Sequence, residues 1–229
     1  MGKEMKIKKK ELSYMRNIIK KKMTKSAKIP QFSLETKVYM NKILETRKNL
    51  NYYTSLNTCL ICCCSRALEA SKEINGFFLE EENKIGLANN INIGFAVGIK
   101  EGLIVPVIKN VNEKNLKDIF NEVNRLIKKA HNDNLKAREL QDGTFTLSNL
   151  GMYDIKRFIP LINPPQLAIM SVGSLSKEKI IGKNGNIKVN KYINVNITAD
   201  HRALDGVIVA KHLEVFKNIC ENEFERSVL

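Results

Sequence analysis

Residues Ile91-Asn92-Ile93-Gly94-Phe95-Ala96-Val97-Gly98-Ile99, continuing through Lys100-Glu101-Gly102-Leu103-Ile104-Val105-Pro106-Val107-Ile108, carry the pattern on which the fold turns. Ile91, Ile93, Phe95, Val97 and Ile99 recur with a period of two, which places them on one face of a strand. Glu101-Gly102 turns the chain into a second strand, Leu103 to Ile108. Pro106 interrupts it, and because proline has no N–H to give a ladder, this strand belongs at a sheet edge or a bulge.

Working outward, Asn115 caps an amphipathic helix with Leu116, Ile119, Phe120, Val123, Ile127 and Ala130 on its buried stripe. Gly143 precedes a short strand, Thr144 to Ser148, and Leu167 to Val172 is a further apolar strand. Gly185 marks a hairpin turn between Ile180 and Ile187, with pairing carried on through Val189 to Thr198. A last helix runs from about Asp205 to Asn222. Towards the start, Ser13 caps a helix through Arg16, Ile18, Ile19 and Met23 that Pro30 ends. A strand from Phe32 to Tyr39 follows, then helices at Asn41 to Leu50 and Leu56 to Ser71. Strands and helices interleave without repeating as regular strand–helix–strand units. The expected class is therefore α+β, a mixed sheet covered by helices, forming one domain over residues 11–229 after a linker at 1–10.

The 229 residues are 43% hydrophobic and 27% charged, ordinary for a globular chain. No apolar run is long enough to cross a bilayer, and no membrane partner is expected. The 38 basic and 24 acidic residues leave a formal charge of +14, which suits a polyanionic partner. No nucleic-acid-binding motif accompanies that charge, so nucleic acid is not the expected partner. Cys59, Cys62, Cys63 and Cys64 crowd together, and three adjacent cysteines make no ordinary disulfide framework; a reducing compartment is expected. Leu60, Ile61, Ala67 and Leu68 around them mark a buried helix face on which cysteine acts as a small hydrophobe, with no metal.

Chemistry concentrates in two segments. Asp200-His201-Arg202-Ala203-Leu204-Asp205-Gly206 lies where a strand ends and a helix begins. There an imidazole, with an ordinary pKa of ~6.5, takes a proton from a thiol or hydroxyl at neutral pH. Asp205 either orients a neighbouring group or simply caps the helix. Gly143-Thr144-Phe145-Thr146-Leu147-Ser148-Asn149-Leu150-Gly151-Met152 ends a strand with hydroxyl and amide donors, which either stabilise an oxyanion or only form a turn. Phe158-Ile159-Pro160-Leu161-Ile162-Asn163-Pro164-Pro165-Gln166 is apolar and stiff, as a pocket wall or subunit contact would be. His131, in a polar loop, and His212, on the last helix, are read as surface residues.

The motifs Gly-Thr-Phe-Thr-Leu-Ser-Asn-Leu-Gly-Met, Ile-Asn-Pro-Pro-Gln and Asp-His-Arg-Ala-Leu-Asp-Gly together resemble the acyltransferase domain of 2-oxo acid dehydrogenase complexes. Leu12-Ser13-Tyr14-Met15-Arg16, Ile29-Pro30-Gln31-Phe32 and Gly102-Leu103-Ile104-Val105-Pro106-Val107 extend the likeness in family order, over essentially all of 11–229. The resemblance implies a chloramphenicol acetyltransferase-like fold, a homotrimer, and a hollow core of 24 or 60 chains. It implies a channel between subunits that coenzyme A and the lipoyl arm enter from opposite ends. His201 would be the general base, Ser148 the oxyanion donor, and Asp205 a support acting through Arg16. Arg47, Ser55, Ser148 and Asn149 match positions that contact coenzyme A. Lipoyl and peripheral-subunit-binding domains would lie upstream, with dehydrogenase and dihydrolipoamide dehydrogenase components as partners.

Departures from the family pattern are Tyr153-Asp154, where Phe-Gly is usual, and Cys62-Cys63-Cys64, where Lys and Ala are. Acetyl transfer within a pyruvate dehydrogenase complex is the expected activity, in a plastid, apicoplast or mitochondrion or in bacterial cytoplasm. Branched-chain or succinyl specificity, a non-catalytic core of the same fold, and a free-standing acetyltransferase are the alternatives. Val228-Leu229 is expected as an apolar anchor between trimers.

Overall fold

The computed structural model describes residues 7–181 and 185–227; Val228-Leu229 lies outside them, as does most of the expected linker. In chain order the strands are β1 (Gln31–Tyr39), β2 (Gly76–Leu79), β3 (Lys84–Leu87), β4 (Ile93–Phe95), β5 (Val97–Ile99) and β6 (Gly102–Ile104). They continue as β7 (Val107–Ile108), β8 (Phe145–Asn149), β9 (Ala168–Val172), β10 (Ser176–Ile181) and β11 (Ile187–Asp200). The helices are α1 (Tyr14–Ser26), α2 (Asn41–Asn49), α3 (Leu56–Ala70), α4 (Leu116–His131) and α5 (Gly206–Asn218).

The 91–108 stretch folds as one hairpin in a single register, with Ile93 opposite Ile108, Gly94 opposite Val107, Val97 opposite Ile104 and Ile99 opposite Gly102. The continuous strand expected at Ile91 to Ile99 is nevertheless broken into β4 and β5. Pro106 is the cause: Phe95 N–H reaches the Pro106 carbonyl at 3.0 Å, but Pro106 has no N–H to return. Beyond the break, β5 and β6 leave the main sheet and pair only with each other. The expected edge position also holds, since β7 ends the sheet.

The main sheet runs β1-β11-β9-β8-β4-β7, with β10 paired on β11. β8 is parallel to both β4 and β9 and the other pairs are antiparallel, giving the mixed sheet expected. Alternation sorts side chains onto two faces. One carries Phe145, Leu147, Met170, Val195 and Ile197, buried in the core with α3 and α5. The other carries Thr146, Ser148, Ser171, Asn196 and Thr198, and this polar face is covered by the 156–166 segment. Ser171 Oγ donates to the Phe158 carbonyl at 2.8 Å, Thr146 Oγ1 to Gln166 Oε1 at 2.6 Å, and Asn194 Nδ2 to the Lys156 carbonyl at 3.1 Å.

Ser13 caps α1 as expected, its hydroxyl accepting from Arg16 N–H at 3.3 Å, and α1 already ends at Ser26, ahead of Pro30. Asn115 caps α4 on Asp118 N–H. α3 is buried nearly all round, and its cysteines pack as apolar groups; burial pushes the Cys62 thiol up to about 12. The last helix is shorter than expected: α5 stops at Asn218 and gives way to wider and tighter turns through Ser227. The β2–β3 hairpin escapes the sequence reading, because its short strands bracket an acidic turn and show little alternation.

Two histidine expectations change. His131 is exposed but closes α4 rather than lying in a loop. His212 is 0% exposed, not a surface residue: it faces inward from α5, its ring centroid 6.2 Å from that of Phe145. Neither ring nitrogen has a hydrogen-bond partner among the described residues, and burial lowers its pKa to about 4. The 3.6 period put His212 on the inner face with Val209 and Phe216; polarity alone argued for the surface. No helix among the described residues is long and apolar enough to cross a membrane.

Candidate functional site

His201 follows directly on β11, where the sheet gives way to α5. Its N–H donates to the Pro30 carbonyl at 2.8 Å, and the N–H groups of Ala203 and Leu204 return to the Asp200 carbonyl at 3.1 and 2.9 Å. The residue is exposed, and its ring packs on Phe32 with centroids 4.6 Å apart. A rigid strand end thus holds an imidazole that stays open to a reactant.

Asp205 is the N-cap of α5. One carboxylate oxygen accepts from the N–H groups of Val207 and Ile208, both at 2.9 Å. The expected support through Arg16 does not occur within the chain: Arg16 forms no ion pair among the described residues, and its guanidinium lies beside Gly102 instead. Gly102 sits at φ +150°, and a Cβ there would stand 3.5 Å from Arg16 Cζ, so the turn residue leaves room for the arginine.

Ser148 lies half-buried near the end of β8, and its hydroxyl has no hydrogen-bond partner among the described residues. Asn149 points to the opposite face, donating from Nδ2 to Asn57 Oδ1 at 3.2 Å and accepting from Gly151 N–H at 2.8 Å. Asn149 is therefore the turn former, while Ser148 keeps a free donor. Asp154, in the departing Tyr-Asp pair, adopts φ +56°, the left-handed geometry that suits the usual glycine.

Asn57 belongs to the first turn of α3, so Asn149 fastens the end of β8 to the start of that helix. Ser55 caps the same helix, accepting from Thr58 N–H at 3.0 Å. Arg47, half-buried in the last turn of α2, has no ion-pair partner among the described residues. It lines a cavity of ≈ 350 Å³ with Lys48, Lys191, Asn41 and Glu45. Three cations against one acid make that cavity favourable for a phosphate.

Register separates the two principal residues. Ser148 is level with Ser171, and Ser171 with Asn196, so His201 stands five residues further along β11. At ~3.3 Å per residue and ~4.8 Å per strand spacing, Ser148 and His201 are roughly 19 Å apart in one chain. The structure thus brings Ser55 and Asn149 together at the start of α3, sets Arg47 in a separate cavity between α2 and β11, and leaves His201 well away along the sheet from Ser148.

The stiff 158–166 segment takes the first of its two expected roles, a pocket wall. Pro164, Pro165 and Gln166 line an apolar cavity of ≈ 570 Å³ against Ile18, Met23 and Phe77, whereas Ile159 is 69% exposed. Met152, at 71% exposure, is a second uncovered apolar side chain. The sequence reading left Asp200 and Arg202 without individual roles, although they join in an ion pair at 2.7 Å across His201. The signal was a pair of opposite charges at i and i+2 around a histidine, close enough along the chain to pair across a turn.

The model of the family described as 2-oxoacid dehydrogenases acyltransferase (catalytic domain) matches residues 4–228. The dihydrolipoyllysine-residue acetyltransferase component of the pyruvate dehydrogenase complex of Rickettsia conorii is 37% identical over 217 residues, covering 91% of this chain and 52% of that protein. The chain spans about half the length of the curated relatives it matches. The crystal structure of a probable dihydrolipoamide acetyltransferase from Listeria monocytogenes superposes with a TM-score of 0.87 at 30% identity, covering 95% of each chain. Chloramphenicol acetyltransferase, at 14% identity and a TM-score of 0.56 over 92% of this chain and 94% of that one, shares the fold.

Proposed function

The chain belongs to the 2-oxoacid dehydrogenases acyltransferase (catalytic domain) family, and from that premise we propose that it moves an acyl group, acetyl by preference, between coenzyme A and a dihydrolipoyl arm. His201 takes the proton of the attacking thiol, and the thiolate adds to the carbonyl carbon of the thioester. Ser148 donates its free hydroxyl to the oxyanion. Collapse expels the second thiolate, which recovers the proton from His201. No acyl-enzyme forms and no metal takes part.

The observation that carries this reading is an open imidazole directly after β11 and an unused hydroxyl on β8, roughly 19 Å away by strand geometry. The site is complete only when two copies meet, His201 from one and Ser148 from the next. The uncovered apolar residues Met152, Ile159 and Leu161 support such contact. Arg47 and its cavity would take a phosphate of coenzyme A, with Ser55 and Asn149 as further contacts at the start of α3.

The assembly follows as a homotrimer repeated into a 24- or 60-chain core that receives lipoyl domains and the dehydrogenase and dihydrolipoamide dehydrogenase components. Residues 11–229 are its catalytic domain. An organelle interior, plastid-type or mitochondrial, is the proposed compartment, with bacterial cytoplasm as the alternative.

The test mixes the purified assembly with acetyl-coenzyme A and dihydrolipoamide and follows thioester transfer, beside His201→Ala. Transfer in the wild type and its loss by several orders of magnitude in the variant is the expected result. Correctly assembled but inactive wild type would point to a scaffold, and equal rates would remove His201 from the mechanism.

A further inference from the structure

We propose that Arg202, locked to Asp200, is a positioning residue for His201: the two side chains clamp the backbone on either side of the histidine and so aim the imidazole. In its kinetic consequence the proposal rests on the acyl-transfer reading above.

The clamp is tightly built. One oxygen of Asp200 accepts from the Arg202 N–H and from its Nε, both at 3.0 Å, and the other accepts from an Arg202 terminal nitrogen at 2.7 Å. Asp200 is 0% exposed. The guanidinium lies 3.9 Å over the Phe78 ring, and its remaining nitrogen is 3.8 Å from Glu80. All three guanidinium nitrogens are therefore engaged, and the plane is fixed by an aromatic plate. Lysine offers one point charge and cannot reproduce a planar fork.

Position explains the effect on the histidine. Asp200 closes β11 and His201, Arg202 and Ala203 form the turn after it, so the bond from the Arg202 N–H to the Asp200 carboxylate spans the His201 backbone. The clamp thus ties the residues on either side of His201 to each other, while the imidazole stays open against Phe32. Proline 30's carbonyl fixes the His201 N–H, so the Asp200–Arg202 pair supplies the second restraint on its Cα. A misplacement of about 1 Å at a reacting group costs on the order of 10²-fold in rate.

The experiment measures kcat and KM for both thiol substrates in the assembled enzyme, and determines crystal structures, for Arg202→Met, Arg202→Lys and Phe78→Leu. We expect kcat to fall about 10²-fold in Arg202→Met, with KM within about twofold of wild type, and Arg202→Lys to lie between. Phe78→Leu keeps the ion pair and removes only the plate, and should lose about tenfold in kcat. The crystal structures should show the imidazole shifted off Phe32. Unchanged kcat, a loss confined to KM, or an unmoved imidazole would overturn the proposal. Should Arg202→Met not fold, the other two variants decide. Wild-type enzyme that transfers no acyl group would sink the functional reading, and the imidazole position in the Arg202→Lys crystal structure would still decide the clamp.

Discussion

Ser148 lies in β8 and His201 directly follows β11, two places away in the sheet, yet the two residues stand far apart along it. Ser148 is level with Asn196, five residues short of His201, because β11 runs antiparallel to β9 while β8 runs parallel to it. A chain that needs both residues in one reaction must borrow one of them from another copy.

Complementation follows from that separation. His201→Ala and Ser148→Ala assemblies prepared alone should both be impaired. Co-expressed, they form mixed trimers in which some boundaries pair an intact His201 with an intact Ser148. Transfer activity should rise well above that of either variant alone. Mixed assemblies no more active than the average of the two would place both residues in the same chain's site.

Ser148→Ala should lower kcat by ~10²–10³ if the hydroxyl donates to the oxyanion. Its unfolding midpoint should match wild type, since the hydroxyl has no hydrogen-bond partner among the described residues. Asn149→Ala should behave in the opposite sense. It loses the bonds to Asn57 and Gly151 and should be destabilised by about 1–3 kcal/mol in urea unfolding. A rate close to wild type for Ser148→Ala would demote it to a turn residue.

Asp205 separates capping from charge. Asp205→Ala should cost about 1 kcal/mol, because two N–H groups at the start of α5 lose their acceptor. Asp205→Asn keeps a capping oxygen and should be near wild type in stability. Thermal melts of both variants test this, and rate measurements on Asp205→Asn show whether the carboxylate charge matters to transfer. Equal destabilisation by Ala and Asn would contradict the cap.

His212 builds acid sensitivity into the core. Its folded pKa is lowered by burial to about 4, against an ordinary value near 6.5. Above pH ~6.5 both folded and unfolded states hold it neutral, and it does not affect stability. As pH falls from ~6.5 towards ~4, the unfolded state takes up a proton that the folded state refuses, and stability declines by up to about 3 kcal/mol. Urea unfolding across that range, compared with His212→Phe, should show the slope reduced in the variant. An identical slope would mean that other groups carry the acid sensitivity.

Much of the fold was legible in local pattern. The period of two over 91–99, Pro106 at an edge, the Ser13 and Asn115 caps and the buried stripe of α4 express constraints acting within a few residues. Elements built on non-local partners were less legible. The break at Ala96 depends on which strand lies opposite, and the β2–β3 hairpin is too short for alternation to stand out. His212 looked polar and proved to be core, because a helix face is chosen by its packing neighbours.

The candidate site divides along the same line. Sequence by itself determined that His201 sits at a strand end beside a helix cap, and that Ser148 ends another strand, since backbone preferences and hydrogen-bonding side chains act locally. Only the tertiary structure decided that Asp205 caps α5 without meeting Arg16, that Arg202 turns back onto Asp200, and that His201 and Ser148 lie far apart. Those outcomes depend on strand order and register, and long-range pairing sets them through contacts that no short window of sequence contains. His201 and Ser148, named together from sequence, stand roughly 19 Å apart in one chain by strand geometry.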